Sequence, residues 1–184
     1  MGEDKDWLDT SKYMDSISID FDKDYLSKHF LDLYQLKIKS QVIFKELPNF
    51  KNRMGVRSTN WQLRVQEEYE IFNILKERYI ERVGFAVFDE LKAIDPTSRR
   101  WIAIFHQSKE SRAGDIRVTI TLGLTYPRTF PTALKNVGDR HLTPGAKCFG
   151  DLKARWAKDG SMGIPHFLVI VGYYFAIEKQ SIRV

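Results

Sequence analysis

Strict alternation over residues 116–125 constrains the fold more than any other feature of the sequence. Ile116, Val118, Ile120, Leu122 and Leu124 alternate with Arg117, Thr119, Thr121, Gly123 and Thr125. Successive strand side chains point to opposite faces, so this pattern describes a strand with one buried and one wet face. Such a strand needs a sheet around it, and the flanking sequence supplies one. Residues 85–94 and 101–106 read as strands separated by the turn Asp95-Pro96-Thr97-Ser98, and the polar stretch 109–114 leads into the alternating strand. A short fourth strand is expected over 132–137, after Pro127 and Pro131. Short polar turns between successive strands predict an antiparallel meander.

A helix precedes the meander. Trp61, Val65, Tyr69, Phe72, Leu75 and Tyr79 recur at spacings of three and four, which lays one apolar stripe along a helix. Thr59 or Asn60 is placed to cap its first amides, and Gly84 sits where it should stop. Arg64, Lys76 and Arg78 are expected on its exposed side. The chain closes with a helix opening at Ile164-Pro165, proline being favoured in a first turn. The expected class is therefore α+β, with helix packed across one face of an antiparallel sheet. Upstream, a short helix is plausible over 22–34 and a strand over 36–44, ended by Pro48. Residues 51–60 have linker composition. This divides the chain into an N-terminal extension, 1–58, and a main domain, 59–184, and predicts that residues 1–56 are dispensable for folding.

Composition narrows the chemistry. The only cysteine excludes an intramolecular disulfide and a cysteine-rich metal site, and the four histidines lack ligand spacing, so no metal and no cofactor is expected. The longest apolar stretch, 167–177, is interrupted by Gly172 and two tyrosines, and is well short of the ~20 residues a bilayer span needs. The acidic first residues contain no apolar signal segment, and a cytoplasmic location is expected. The net charge of +5, from 29 basic and 24 acidic residues, is dispersed. It suits a solvated surface or an acidic protein partner as well as nucleic acid.

The stretch 138–156, GDRHLTPGAKCFGDLKARW, carries the chemistry. A compact domain rarely keeps so long a loop without a use for it. It holds the sole cysteine, Cys148, with His141 seven positions before, Lys147 adjacent and Asp151 three after. Positive neighbours favour the thiolate, the species that attacks an activated acyl group. A buried, inert cysteine is the plainer alternative.

The flanking order carries more. A strand ends in Tyr126-Pro127-Arg128-Thr129-Phe130-Pro131, a short strand and a loop with the cysteine follow, then Trp156 and a helix. This resembles the ubiquitin-conjugating (UBC-like) superfamily, whose third strand ends in a Tyr-Pro-x-x-x-Pro motif and whose active cysteine precedes a tryptophan. Its usual His-Pro-Asn triplet is absent here. Residues 61–77, Arg99-Arg100-Trp101, Leu124–Thr129, Gly145–Asp151 and Tyr174–Glu178 are most similar to their counterparts in the enzymes that conjugate the ubiquitin-fold modifier. His141 and Gly145 resemble prokaryotic relatives, so an archaeal or bacterial homologue would fit both likenesses. Three departures stand out. Gly138-Asp139-Arg140 occupies the place of the family's Thr-Ala-Lys, the interval from Cys148 to Trp156 is about one residue short, and residues 1–60 have no counterpart.

The resemblance implies a UBC-like fold of N-terminal helix, four-stranded meander, long active-site loop and C-terminal helix. It implies that Cys148 accepts the modifier as a thioester from an activating enzyme and passes it to a lysine amine of a target, with a ligase assisting. His141 is then a candidate donor to the tetrahedral oxyanion, and Asp151 a candidate to orient or deprotonate the amine. Expected partners are the modifier, its activating enzyme, a ligase and a protein substrate, with no nucleic acid and no membrane. Two alternatives stand beside this one: a catalytically inactive UBC-like module that binds ubiquitin-like proteins, and an unrelated α+β nucleic-acid binder. Trp156, Tyr126, Pro127 and Pro131 read as architecture.

Overall fold

A computed structural model describes residue 36 and residues 38–106, 116–135 and 156–170. Helix α1 covers 38–46, α2 runs Trp61–Val83, and four strands follow, β1 (Phe88–Ala93), β2 (Arg100–Phe105), β3 (Ile116–Thr121) and β4 (Thr132–Lys135). Helix α3 begins at residue 164. The strands form one antiparallel sheet in the order β1-β2-β3-β4, the expected meander. The fold is α+β. Among the described residues no helix is long and apolar enough to cross a membrane.

The alternation works as its period requires. In β2, Trp101, Ala103 and Phe105 are buried, and in β3 Val118 and Ile120 are buried while Arg117 is exposed. Onto this face α2 lays its stripe. Tyr69 meets Trp101 with ring centroids 5.1 Å apart, and Tyr79 meets Phe88 edge-on at 5.3 Å. The Ala93 amide donates to the Tyr69 hydroxyl at 3.0 Å, so this half-buried ring bonds the sheet it covers. The helix stops where glycine permits the left-handed turn: Gly84 has φ 92° and its amide donates to Ile80 O at 3.1 Å. At its start the expected side-chain cap is not made. Asn60 makes no such bond; instead the Trp61 amide donates to Ser58 O at 3.1 Å.

The β1–β2 turn is built by Asp95, whose Oδ1 accepts from the amides of Arg99 at 3.0 Å and Arg100 at 2.7 Å. Trp61 Nε1 donates to Thr97 O at 3.1 Å and ties the first turn of α2 to that loop.

Residues 36–44 correct the expected strand, because they enter a helix. The alternation Leu36-Lys37-Ile38-Lys39 is too brief to set a period. Beyond it Leu36, Ser40, Ile43 and Leu47 recur at four, three and four residues, and the last three are buried on the core side. Ser40 Oγ and Tyr79 Oη lie 2.8 Å apart, which fixes α1 against α2. The expected division at 58/59 therefore does not separate two packing units. Ile43, Leu47 and Phe50, the last only 1% exposed, share one core with α2, the sheet and α3.

Candidate functional site

Cys148, His141 and Asp151 lie outside the described residues, as does every position of 136–155. Their stretch of chain is bracketed by described elements, β4 before it and Trp156 after it. Those elements converge on the Tyr126–Pro131 corner that the sequence singled out.

The corner leaves β3 through two successive turns. The Tyr126 amide donates to Gly123 O at 3.1 Å and the Arg128 amide to Thr125 O at 3.0 Å; the Tyr126–Pro127 peptide is cis. Tyr126 is wholly buried and packs edge-on against Trp61, ring centroids 6.0 Å apart. Trp156, itself buried, packs against the corner, donating from Nε1 to Pro127 O at 2.8 Å, with Phe130 at 5.4 Å. Phe130 in turn meets Phe167 of α3 at 4.9 Å. Trp156 and Tyr126 thus have the architectural role expected of them, and Pro127 and Pro131 are buried beside them.

Beneath the corner lies a cluster of charged side chains, one of which departs from the expectation. Arg64, expected on the exposed face of its helix, is fully buried. Its Nε donates to Glu68 Oε1 at 3.0 Å, Nη1 to Asn52 O at 2.8 Å and Gly160 O at 2.7 Å, and Nη2 to Met162 O at 2.8 Å. The guanidinium carbon stands 3.7 Å from the Phe50 ring centroid. Glu68, equally buried, accepts from the Tyr126 hydroxyl and, through Oε2, from the Ile164 amide at 2.8 Å. The planar fork of one arginine therefore ties α2 to the chain at Asn52 and to the segment 160–162 that leads into α3.

Electrostatics agree with the geometry. Burial, followed by the Glu68 charge, pushes the Tyr126 hydroxyl well above its ordinary range, so it stays protonated and donates. Burial raises Glu68 against the pull of Arg64, Tyr126 and the Ile164 amide. For Arg64, burial opposes the charge, but Tyr126 and Glu68 outweigh it and hold the cation above its usual value. Next to it, Glu67 accepts from the Lys51 amide at 2.6 Å and from Asn52 through both its amide, at 2.8 Å, and its side chain, at 2.7 Å. Partial burial resists these bonds, yet they hold the Glu67 carboxyl below its usual range. His166 of α3 is buried between Phe44 and Phe50, and its Nδ1 accepts from the Gly163 amide at 3.2 Å. Burial and then the Arg64 charge lower it to about 4, so the ring is neutral at physiological pH. Gly163 is demanded by this crowding: a Cβ there would lie 2.4 Å from Phe50 Cζ and 2.7 Å from Glu68 Oε2.

This cluster has no catalytic geometry. Both Glu68 oxygens are occupied, and Arg64 spends its donors on Glu68 and on backbone carbonyls. It is a clamp, and among the described residues no group of His, Cys, Asp or Glu is placed to hold a metal ion. The sequence did carry a signal for it. Glu68 stands three after Val65 and four before Phe72, on the apolar stripe itself, and Arg64 is four residues before it, at ion-pair spacing. A charged residue inside such a stripe marks a buried pair.

The outer surface of the corner is open. Between the segment 53–58 and the turn 124–128 runs a cleft of about 320 Å³. Compared with models of known protein families and with curated proteins, the chain matches none.

Proposed function

We propose that this chain is a conjugating enzyme for a ubiquitin-like modifier, of the ubiquitin-fold-modifier-conjugating kind, with Cys148 as the thioester-forming residue. The observation that supports it best is the Tyr126–Pro131 corner. It follows a four-stranded antiparallel meander backed by α2, it is gripped by Trp156, and the cysteine-bearing stretch runs between β4 and that tryptophan. This is the order of elements that the resemblance implies, and the anchoring at Trp156 gives the cysteine-bearing stretch a fixed C-terminal end.

In this reading the Cys148 thiolate attacks the thioester carbonyl joining the modifier to its activating enzyme. The activating enzyme's thiolate leaves, and the modifier is now bonded to Cys148. A lysine amine of the target then attacks the same carbonyl, the C–S bond breaks, and Cys148 departs as thiolate. The amine's proton passes to Asp151 or to water, and His141 donates to the transient oxyanion.

The two steps separate the roles. His141→Ala and Asp151→Ala should leave charging of Cys148 nearly intact and slow single-turnover discharge onto free lysine by about 10²-fold, the low end for oxyanion and base losses. Equal losses in both steps, or none in either, would move both residues from chemistry to loop scaffolding.

A further inference from the structure

We propose that the cleft between residues 53–58 and 124–128 is a docking site for an acidic linear peptide of a partner protein, one that places an apolar side chain between flanking carboxylates. The proposal is independent of any chemistry at Cys148.

Two hydrogen-bonded turns form the walls. In one, the Ser58 amide donates to Gly55 O at 3.0 Å and Arg57 projects from the turn; in the other, the Arg128 amide donates to Thr125 O at 3.0 Å and carries Arg128 out beside it. Arg53 stands at the same cleft, 3.4 Å from Asp159. Three guanidinium groups thus border one concavity, and none of the described residues lining it is acidic. Among the described residues Arg57 and Arg128 make no side-chain hydrogen bond or ion pair, so both are available to an incoming anion. Arginine forks pair carboxylates with two parallel bonds, and clustered arginines are a recurring means of reading acidic motifs.

The interior differs from the rim. Met54, Leu124 and Pro127 give the lining an apolar strip beside the hydroxyl residues Ser58 and Thr125, and Leu124 is 49% exposed. The walls are close, since a Cβ on Gly55 would lie 3.2 Å from Tyr126 O. A free phosphate would leave that apolar surface uncovered and would face three exposed, separate cations instead of converging buried donors. A short peptide covers both parts: its apolar side chain on Leu124 and Met54, its carboxylates on the arginines. The volume, about 320 Å³, holds a short segment of chain. Because the buried clamp beneath holds Tyr126 and Asn52 in place, the two walls are preorganised and little ordering is needed on binding.

The test uses the full chain and a fluorescein-labelled heptapeptide, Glu-Asp-Glu-Leu-Glu-Asp-Glu, followed by anisotropy. Binding should be saturable, and amide shifts in the wild type should concentrate at 54–58 and 123–128. Arg57→Ala and Arg128→Ala should each weaken binding about tenfold, the loss of one charge-assisted pair, and together about 100-fold. Leu124→Ala should weaken it about threefold. Arg117→Ala removes the same charge from exposed β3 outside the cleft and should change affinity less than about twofold. All four side chains are exposed, so folding should survive, with unchanged thermal midpoints as the check. The proposal is overturned if the acidic peptide does not bind, or if its Gln/Asn analogue binds as well. It is equally overturned if Arg117→Ala costs as much as Arg57→Ala, or if inorganic phosphate displaces the peptide at equal molar concentration.

Discussion

Arg64→Ala is expected to cost about 3–5 kcal/mol of folding stability, the scale for removing one partner of a buried ion pair. The reason lies in what stays behind. Glu68 would remain fully buried with its charge uncompensated, the buried carbonyls of Gly160 and Met162 would lose their donor, and so would the partly buried carbonyl of Asn52. Arg64→Lys should recover little, since one ammonium cannot replace a fork that reaches Glu68 and three carbonyls at once. The contrast is Lys76→Ala, which breaks a pair with Asp89 at 3.4 Å between half-exposed groups and should cost no more than about 1 kcal/mol. Equilibrium denaturation of the variants measures this. If Arg64→Ala and Lys76→Ala are equally mild, the clamp does not hold the fold together.

Deletion of residues 1–56 should abolish the cooperative transition. The deletion removes Ile43, Leu47 and Phe50 from the core, each contributing about 1.5–3 kcal/mol by burial. It also strips Glu67 of its Lys51 and Asn52 donors, Arg64 of one acceptor and Tyr79 of its Ser40 partner. Set against a usual net stability of about 5–15 kcal/mol, that loss leaves little or nothing. Thermal unfolding followed by near-ultraviolet dichroism decides between the two readings. A truncated protein that melts cooperatively near the wild-type temperature would restore the boundary expected from linker composition.

The contrast between those readings shows where the sequence was legible. Period and punctuation gave the meander and the long helix: the stripe from Trp61 to Tyr79 and Gly84 at its end match the structure, and the alternation holds from Arg117 to Leu122, after which the chain turns and Leu124 is exposed. What failed were inferences from local composition. The polar stretch 51–60 looks like a linker because its backbone is satisfied by distant side chains, Glu67 and Arg64, whose burial no local pattern reveals. The alternation at 36–39 imitated a strand over too few residues to resist the helical spacing around it. Arg64 looked exposed because arginine usually is, and only its partner four residues on, inside the apolar stripe, argued otherwise. Of the candidate site, the frame was legible in Tyr126, Pro127, Pro131 and Trp156. The roles of Cys148, His141 and Asp151 rest on register and resemblance, which experiment must join to the frame.

The most direct measurement supplies the full-length chain with a ubiquitin-like modifier, a cognate activating enzyme and ATP, and resolves the products by non-reducing electrophoresis and intact mass. Wild type should form a one-to-one adduct that thiol reagents cleave. Cys148→Ser should give a thiol-resistant oxyester at the same mass position, and Cys148→Ala should give none. An undiminished thiol-sensitive adduct on Cys148→Ala, or no adduct on the wild type while the activating enzyme itself is charged, would contradict the assignment of a conjugating cysteine.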